Sequence, residues 1–156
     1  MATQPFFVPQ KEIDLMNSMN KELIDEIVGQ AIDVYKVSIE NTETNIYGEA
    51  ENGKKYFDKG FRVNCLIQFD EPVADLTEFG TDMNSSIETY FLNSSLSGSN
   101  FYPEVGDIVD WNNFYWEVNS VAEPQLVAGH HNYSHQVKAK AHRTRLTNVT
   151  FQDIVK

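Results

Sequence analysis

The hydrophobic pattern of the chain begins with helical spacing. Between residues 11 and 28 apolar side chains return every three or four positions, and Gly29 follows where a helix C-cap is expected. The spacing weakens over residues 17–20. The segment is therefore predicted to be either one helix interrupted there, or a short first turn before a helix capped by an Asn or Ser of that stretch. The apolar positions are Ile13, Met16, Leu23, Ile24, Ile27 and Val28.

After Gly29 the hydrophobic period changes to two, which predicts strands. The Ser/Asn/Gly-rich residues 92–100 are expected to form a mobile loop between two of them. Cys65 shares one strand face with large apolar residues, so a buried and unreactive thiol is expected. The fold class is predicted to be mainly β, a single β-barrel or β-sandwich-like domain with one N-terminal α-helix. The predicted strands are residues 31–39, 61–69, 85–92, 106–111, 114–121 and 135–146.

The first nine residues predict an extended arm. Pro5 and Pro9 flank Phe6 and Phe7, and proline restricts itself and its preceding residue to extended or turn backbone. We expect Phe6 and Phe7 to contact a partner subunit. The chain length suits one domain. The predicted organisation is an extended arm over 1–9, a mostly β domain over 10–146 and a C-terminal tail over 147–156.

The clearest local pattern is a β-hairpin within residues 103–121. Asn112-Asn113 can form its two-residue turn because asparagine tolerates positive φ. That turn pairs Trp111 with Phe114 and fixes which side chains share a face. The apolar face, which is expected to belong to the core, contains Val109, Trp111, Phe114, Trp116 and Val118.

Pro103, Gly106 and Asp107, at the start of this segment, are predicted to shape the entry into the hairpin. Pro103 fixes the backbone, Gly106 permits a tight turn, and the Asp107 carboxylate can accept local N–H bonds. Trp111 and Trp116 would also fit a carbohydrate-stacking platform, but an inward aromatic cluster is the commoner arrangement in small β domains.

Charge is unevenly divided along the chain. Of the formal net charge of −11, residues 137–156 carry +4, five Lys or Arg against one Asp, and the rest carry −15. An acidic body argues against a protein that reads DNA sequence. No apolar run is long enough for a membrane helix, and the N-terminus lacks the features of a signal peptide, so synthesis in a cytoplasm is expected.

The last predicted strand carries the basic residues. Its apolar face is made of small residues, and the opposite face predicts a basic stripe. Lysines that protect an edge strand are one interpretation. The other is a contact to an acidic neighbouring subunit or to DNA phosphates; we favour the neighbouring subunit. The candidate contact residues are Lys138, Lys140, His142, Arg143 and Arg145.

Nothing in the sequence predicts catalysis. The four histidines, at positions 130, 131, 135 and 142, lack the spacing and the Cys or carboxylate partners of a metal site. Carboxylate pairs are numerous but undistinctive in an acidic chain, and no nucleophile elbow or phosphate-binding glycine loop is present. We therefore expect no enzyme, no cofactor and no metal, and rank a small hydrolase last.

Four short segments follow one another in a characteristic order. Residues 22–38, ELIDEIVGQAIDVYKVS, lead from a helix through a glycine into an I-D-V-Y strand. Residues 76–80, LTEFG, precede another strand, residues 103–118 open on P-x-x-G-D before the hairpin, and residues 135–146 supply a late strand. In this order the chain resembles the neck proteins of contractile-tailed bacteriophages, the head-closure or head–tail connector family.

The resemblance implies a structural virion protein of the phage neck, made in the host cytoplasm. Such a protein would form a homo-oligomeric ring, expected to be hexameric, that seals the DNA-filled head below the portal and adaptor proteins. It would dock the tail terminator or tail proteins below and let DNA pass through its lumen without sequence recognition. The alternatives are a tail terminator or another connector ring of the same machine, and a surface- or carbohydrate-binding β module.

Overall fold

The computed structural model describes residues 10–38, 55–77, 80–122, 135–144 and 149–151. A helix comes first, a single large sheet follows, and two pairs of short strands lie beside it. The helical elements are α1 (Gln10–Glu22), a π-helical turn (Leu23–Val28) and α2 (Asn93–Ser99). The strands are β1 (Ala31–Tyr35), β2 (Lys55–Phe57), β3 (Phe61–Asn64), β4 (Leu66–Phe69), β5 (Val73–Thr77), β6 (Gly80–Asn84), β7 (Ser86–Leu92), β8 (Ile108–Trp111), β9 (Phe114–Val121), β10 (Gln136–Arg143) and β11 (Val149–Phe151).

The N-terminal helix and its glycine cap are confirmed. Gly29 adopts φ 57°, and its N–H donates to the carbonyl of Ile24 at 3.0 Å, which is the left-handed C-cap that glycine favours. The predicted interruption at residues 17–20 is wrong, because α1 continues through them and the irregular part is the π-helical turn that follows.

The central sheet has seven strands in the order β3-β1-β8-β9-β10-β7-β4, and every neighbouring pair is antiparallel. Its edge strands, β3 and β4, are consecutive in the chain and separated by Cys65 alone. The sheet must therefore curl until its two edges come close together. Among the described residues no ladder joins β3 to β4. The mainly β class is confirmed, whereas the closed β-barrel is corrected to an open, curled sheet.

The hairpin register is confirmed. Asn112 and Asn113 have φ values of 54° and 62°, so both occupy the left-handed region that a type I′ turn requires. Trp111 lies opposite Phe114, and Val109 lies opposite Trp116. The two asparagines of the turn therefore determine which side chains of β8 and β9 face the core.

The core occupies the concave side of the curled sheet, where alternate residues of neighbouring strands meet. Cys65 is fully buried among them, as predicted, and this burial raises the pKa of its thiol to about 12. The fully buried strand residues include Val34, Ile87, Phe91, Val109, Val137, Ala139 and Ala141.

Residues 93–99 form α2 instead of the expected loop. Ser97 and Ser99 donate to the carbonyls of Asn93 and Ser95, both at 2.9 Å, and Leu96 is buried in the core. Serine, asparagine and glycine have weak helix propensity, but tertiary burial of one leucine overrides it here. The loop prediction is therefore wrong.

The short strands β2, β5, β6 and β11 lie outside the predicted set. β5 pairs with β6, and β11 pairs in parallel with β2. Because β11 belongs to residues 147–156, part of the predicted tail has a defined partner. The division into arm, domain and tail stays a prediction, since residues 1–9 lie outside the described residues.

Candidate functional site

An aromatic groove of about 170 Å³ opens at the turn end of the β8–β9 hairpin. Side chains from four strands and the turn form it. The last residues of β4 and β10, Phe69 and Arg143, both lie at this end of the hairpin. Its lining includes Phe69, Trp111, Asn112, Phe114, Trp116 and Arg143, and these residues define the aromatic groove below.

The apolar face of the hairpin becomes more exposed towards the turn. Trp116 is 2% exposed, Trp111 is half-buried and Phe114 is 38% exposed. Phe69 contacts both indoles, with ring centroids 6.3 Å from Trp111 and 6.2 Å from Trp116, the second pair edge-to-face. The predicted apolar face is therefore core at its base and an open aromatic surface at its tip.

Arg143 supplies the positive charge of the aromatic groove. Its guanidinium carbon lies 3.8 Å from the centroid of the Phe114 ring, a cation–π contact of about 0.5–1 kcal/mol at an exposed site. The sequence groups Arg143 with His142 among the basic contact residues, but the two side chains point to opposite faces because they are neighbours in β10. Arg143 pairs with Trp116 on the inner face, so it belongs to the aromatic groove and not to the basic stripe.

The P-x-x-G-D segment forms a rigid start to the hairpin, as predicted from its residue types. The Glu104 N–H donates to Asp107 Oδ2 at 2.8 Å, and Gly106, at φ 98°, donates its N–H to Val118 O at 2.8 Å. Burial raises the pKa of the Asp107 carboxyl, and hydrogen bonds from the backbone of Glu104 and Val37 partly oppose that rise. Asp107 therefore has a structural partner set and a fixed position.

The basic stripe of β10 is paired within its own chain. Lys138 Nζ lies 2.6 Å from Glu88 Oε2, and Tyr90 donates its hydroxyl to the same oxygen at 2.9 Å. Lys140 Nζ lies 3.8 Å from Asp70. The hydrogen bond from Lys138, and to a smaller extent the one from Tyr90, lowers the pKa of the Glu88 carboxyl. The partner contact predicted for the two lysines stays a prediction, and His142 remains exposed on the same face.

Several candidate residues lie outside the described part of the chain. These are Phe6, Phe7, Arg145 and the histidines at positions 130 and 131. His135 is described, and its two ring nitrogens lie 3.4 Å from Asn17 and 3.2 Å from Asn20. Within the described ranges, no three His, Cys, Asp or Glu side chains are grouped to hold a metal ion. No helix in those ranges has the length and apolar character needed to cross a membrane.

The sequence interpretation missed an exposed apolar stripe on the N-terminal helix. Leu15, Met19, Leu23 and Ile27 are between 40% and 70% exposed, whereas Ile13 and Ile24 are buried on the other side. We call these four residues the helix stripe. Their four-residue spacing is the signal that identifies them. In an α-helix each four-residue step rotates about 40° past a full turn, and the wider π-helical turn limits this rotation between Leu23 and Ile27.

The architecture is that of a helix-led, curled antiparallel sheet. It is similar to a chain from the virion of a native gene transfer agent particle, at 10% sequence identity and a TM-score of 0.51, covering 74% of this chain and 94% of that one. It also matches the phage-like element PBSX protein xkdH from Bacillus subtilis at 16% identity and a TM-score of 0.38, covering 72% and 91%. No protein-family model and no curated protein sequence matches the chain. The first likeness establishes a shared fold.

Proposed function

We propose that this chain is a structural subunit of a tailed-phage or phage-like virion. Its specific role is that of a ring-forming head–tail connector of the neck, which closes the DNA-filled head and docks the tail. The observation that carries the proposal is the fold shared with a virion chain over 94% of that chain's length. The proposal assigns no reaction to the protein.

The order of the neck-like segments supports the proposal because those segments are neighbours in the sheet. The I-D-V-Y strand is β1, which pairs with β8 of the P-x-x-G-D hairpin. The other hairpin strand, β9, pairs with the late strand β10. Segments that are distant in sequence therefore form four adjacent strands, as expected of a pattern that reflects one fold.

The charge distribution supports a place on the path of DNA. The first 136 residues carry a formal net charge of −15, and a negatively charged wall does not retain a polyanion that must pass. The outer lysines of β10 are compensated by Glu88 and Asp70. A lumen lined by this chain would thus let DNA pass without holding it and without recognising its bases.

Imaging of the intact particle tests the proposal. Cryo-electron microscopy of the neck, at a resolution that traces side chains, is expected to find this chain in a ring between the portal vertex and the tail. It would also fix the copy number, for which we propose six. Purified particles whose protein inventory lacks this chain would contradict the proposal. A position at the tail end of the neck would favour the tail terminator or another connector ring instead.

The open tip of the aromatic groove keeps a carbohydrate-binding module as a second candidate. Trp116 is almost fully buried, so within the groove Trp111, Phe69 and Phe114 are the rings that offer surface to a sugar. Acrylamide quenching of tryptophan fluorescence, with and without oligosaccharides, measures this surface. One quenchable indole that sugars do not protect is the result expected of a connector, whereas protection by a sugar would favour the module.

A further inference from the structure

Two exposed apolar surfaces lie at opposite ends of β10. At its first end, His135 contacts Asn17 and Asn20 of α1, which carries the helix stripe on its outer side. At its last end, Arg143 lines the aromatic groove. Eight residues of extended chain separate the two ends by roughly 26 Å. One subunit therefore presents two different surfaces in two different places.

The two surfaces have opposite charge. Residues 10–28, which carry the helix stripe, contain two lysines against five acidic residues, a net charge of −3. The charged side chain that lines the aromatic groove is Arg143, and the other groove residues are aromatic or neutral. An apolar ridge with acidic flanks is thus complementary to an apolar groove with a basic rim.

From this complementarity we infer that the helix stripe of one subunit docks in the aromatic groove of a second copy of this chain. This rests on the proposed function, since it names the contact that would build the ring. The contact is heterologous, because different patches meet, and such contacts form rings when the rotation closes. In a closed ring every helix stripe is covered and every aromatic groove is filled.

A second copy is the occupant that both observations favour together. An unrelated partner could cover the helix stripe or fill the aromatic groove, but it would leave the other surface exposed. Exposed contiguous apolar patches on soluble proteins mark interaction sites. Only self-association through unlike patches covers both with one contact per subunit.

Two double variants test the contact, each of which changes exposed or half-exposed residues. The helix variant is Leu15→Gln with Met19→Gln, and its control is Gln10→Ala with Ser18→Ala, which changes two exposed sites of α1 outside the stripe and leaves the charge of the helix unchanged. The groove variant is Phe114→Ser with Arg143→Glu. Its control is Tyr102→Ser with His142→Glu, which changes an exposed aromatic and a β10 residue outside the groove.

Sedimentation velocity on the full chain gives the readout. The wild type and both controls are expected to self-associate alike, and each test variant alone is expected to dissociate at least about tenfold more readily. A one-to-one mixture of the two test variants is expected to form dimers and stop. The groove variant still has its helix stripe and the helix variant still has its groove, so one contact forms and no further contact can follow.

Three results would overturn the inference. They are test variants that associate like the wild type, a mixture that stays monomeric, and a wild type that is monomeric up to about 1 mM, where dissociation corresponds to only about 4 kcal/mol. Circular dichroism checks that each variant is folded. None of these results removes the chain from the virion, so failure of this contact is distinct from failure of the connector proposal, which particle imaging decides.

Discussion

The two faces of β10 differ in how much the fold depends on them. Val137, Ala139 and Ala141 are fully buried on the inner face. Lys138 and Lys140, between them in sequence, lie half-exposed or exposed and pair with carboxylates across the outer face. Burial of apolar surface is the main stabilising contribution to folding, whereas exposed ion pairs contribute about 0–1 kcal/mol. The inner face therefore determines the fold, and the outer face can vary with little cost.

This difference also changes how charge in the sequence should be interpreted. The basic stripe predicted a partner contact, but Glu88 and Asp70 of the same chain already compensate its lysines. The helix stripe and the tip of the aromatic groove are instead exposed apolar surfaces, with acidic residues beside the first and Arg143 beside the second. Under the contact we propose, uncovered apolar surface is a better indicator of assembly than the basic stripe.

Replacing Trp116 should cause the largest loss of stability and so show most clearly how much the fold depends on the inner face. Trp116→Ala removes a fully buried side chain of the inner face and the N–H···O bond from its indole to Trp111 O. We expect a loss of about 3–5 kcal/mol in the free energy of unfolding, measured with urea. Phe114→Ala, at the exposed end of the same apolar face, is the control and should cost far less. Equal losses would show that the tip is also core.

Asp107 tests a buried polar group beside the hairpin. Asp107→Ala leaves the N–H groups of Glu104 and Val37 without this acceptor, which should cost about 1–3 kcal/mol. Asp107→Asn keeps an acceptor oxygen and should lose less. Because the folded pKa is raised, the stability that Asp107 contributes is lost as pH rises through that pKa. The free energy of unfolding of Asp107→Asn, relative to that of the wild type, should therefore rise as the pH increases above about 4. A difference that does not change with pH would contradict this.

Thr89 is the polar exception within the inner face. Its hydroxyl donates to Ala139 O at 3.1 Å and is fully buried. Thr89→Val keeps the branched shape but removes this bond between β7 and β10, so we expect a loss of about 1 kcal/mol by urea denaturation. Thr89→Ser, which keeps the hydroxyl and removes a methyl group, distinguishes the bond from packing. An unchanged midpoint in the Val variant would mean that the bond adds nothing.

Glu88 on the outer face should give the smallest effect. Glu88→Gln is expected to change the melting temperature by less than about 2 °C at pH 7, as for other partly exposed pairs. The folded pKa of Glu88 is lowered, so its contribution is present above the unfolded pKa of about 4.3 and is lost as pH falls through the folded value. The difference from wild type should therefore shrink as the pH falls below about 4. Glu12→Gln, on exposed α1, is the control, and a larger effect at pH 3 than at pH 7 would contradict the prediction.

Local chemistry made part of this structure predictable from sequence. Asn112 and Asn113 tolerate positive φ and so determine the hairpin register, and Gly29 marks the helix end for the same reason. The sheet order was not predictable, because nothing near Cys65 indicates that its flanking strands pair at opposite edges. α2 depends on the burial of Leu96, which is a tertiary effect.

The same limit applies to the candidate site. The apolar face of the hairpin followed from alternation, but the groove also needs Phe69 and Arg143 from strands far away in sequence. The pairing of Lys138 with Glu88 depends on the β7–β10 register, which spans 50 residues and has no local signal. Long-range contacts between side chains, rather than residue types, therefore define the surfaces that the protein presents.

The position of Cys65 also makes it a reporter of how often the sheet opens. Its neighbours on either side belong to opposite edges of the sheet, its N–H donates to Gln30 O, and its thiol is buried. A labelling reagent can reach the sulfur only after both edges separate. The alkylation rate of the native protein should thus equal the rate for an exposed cysteine multiplied by the fraction of molecules with an open sheet. The natural thiol would then report the equilibrium of this opening without any engineered probe.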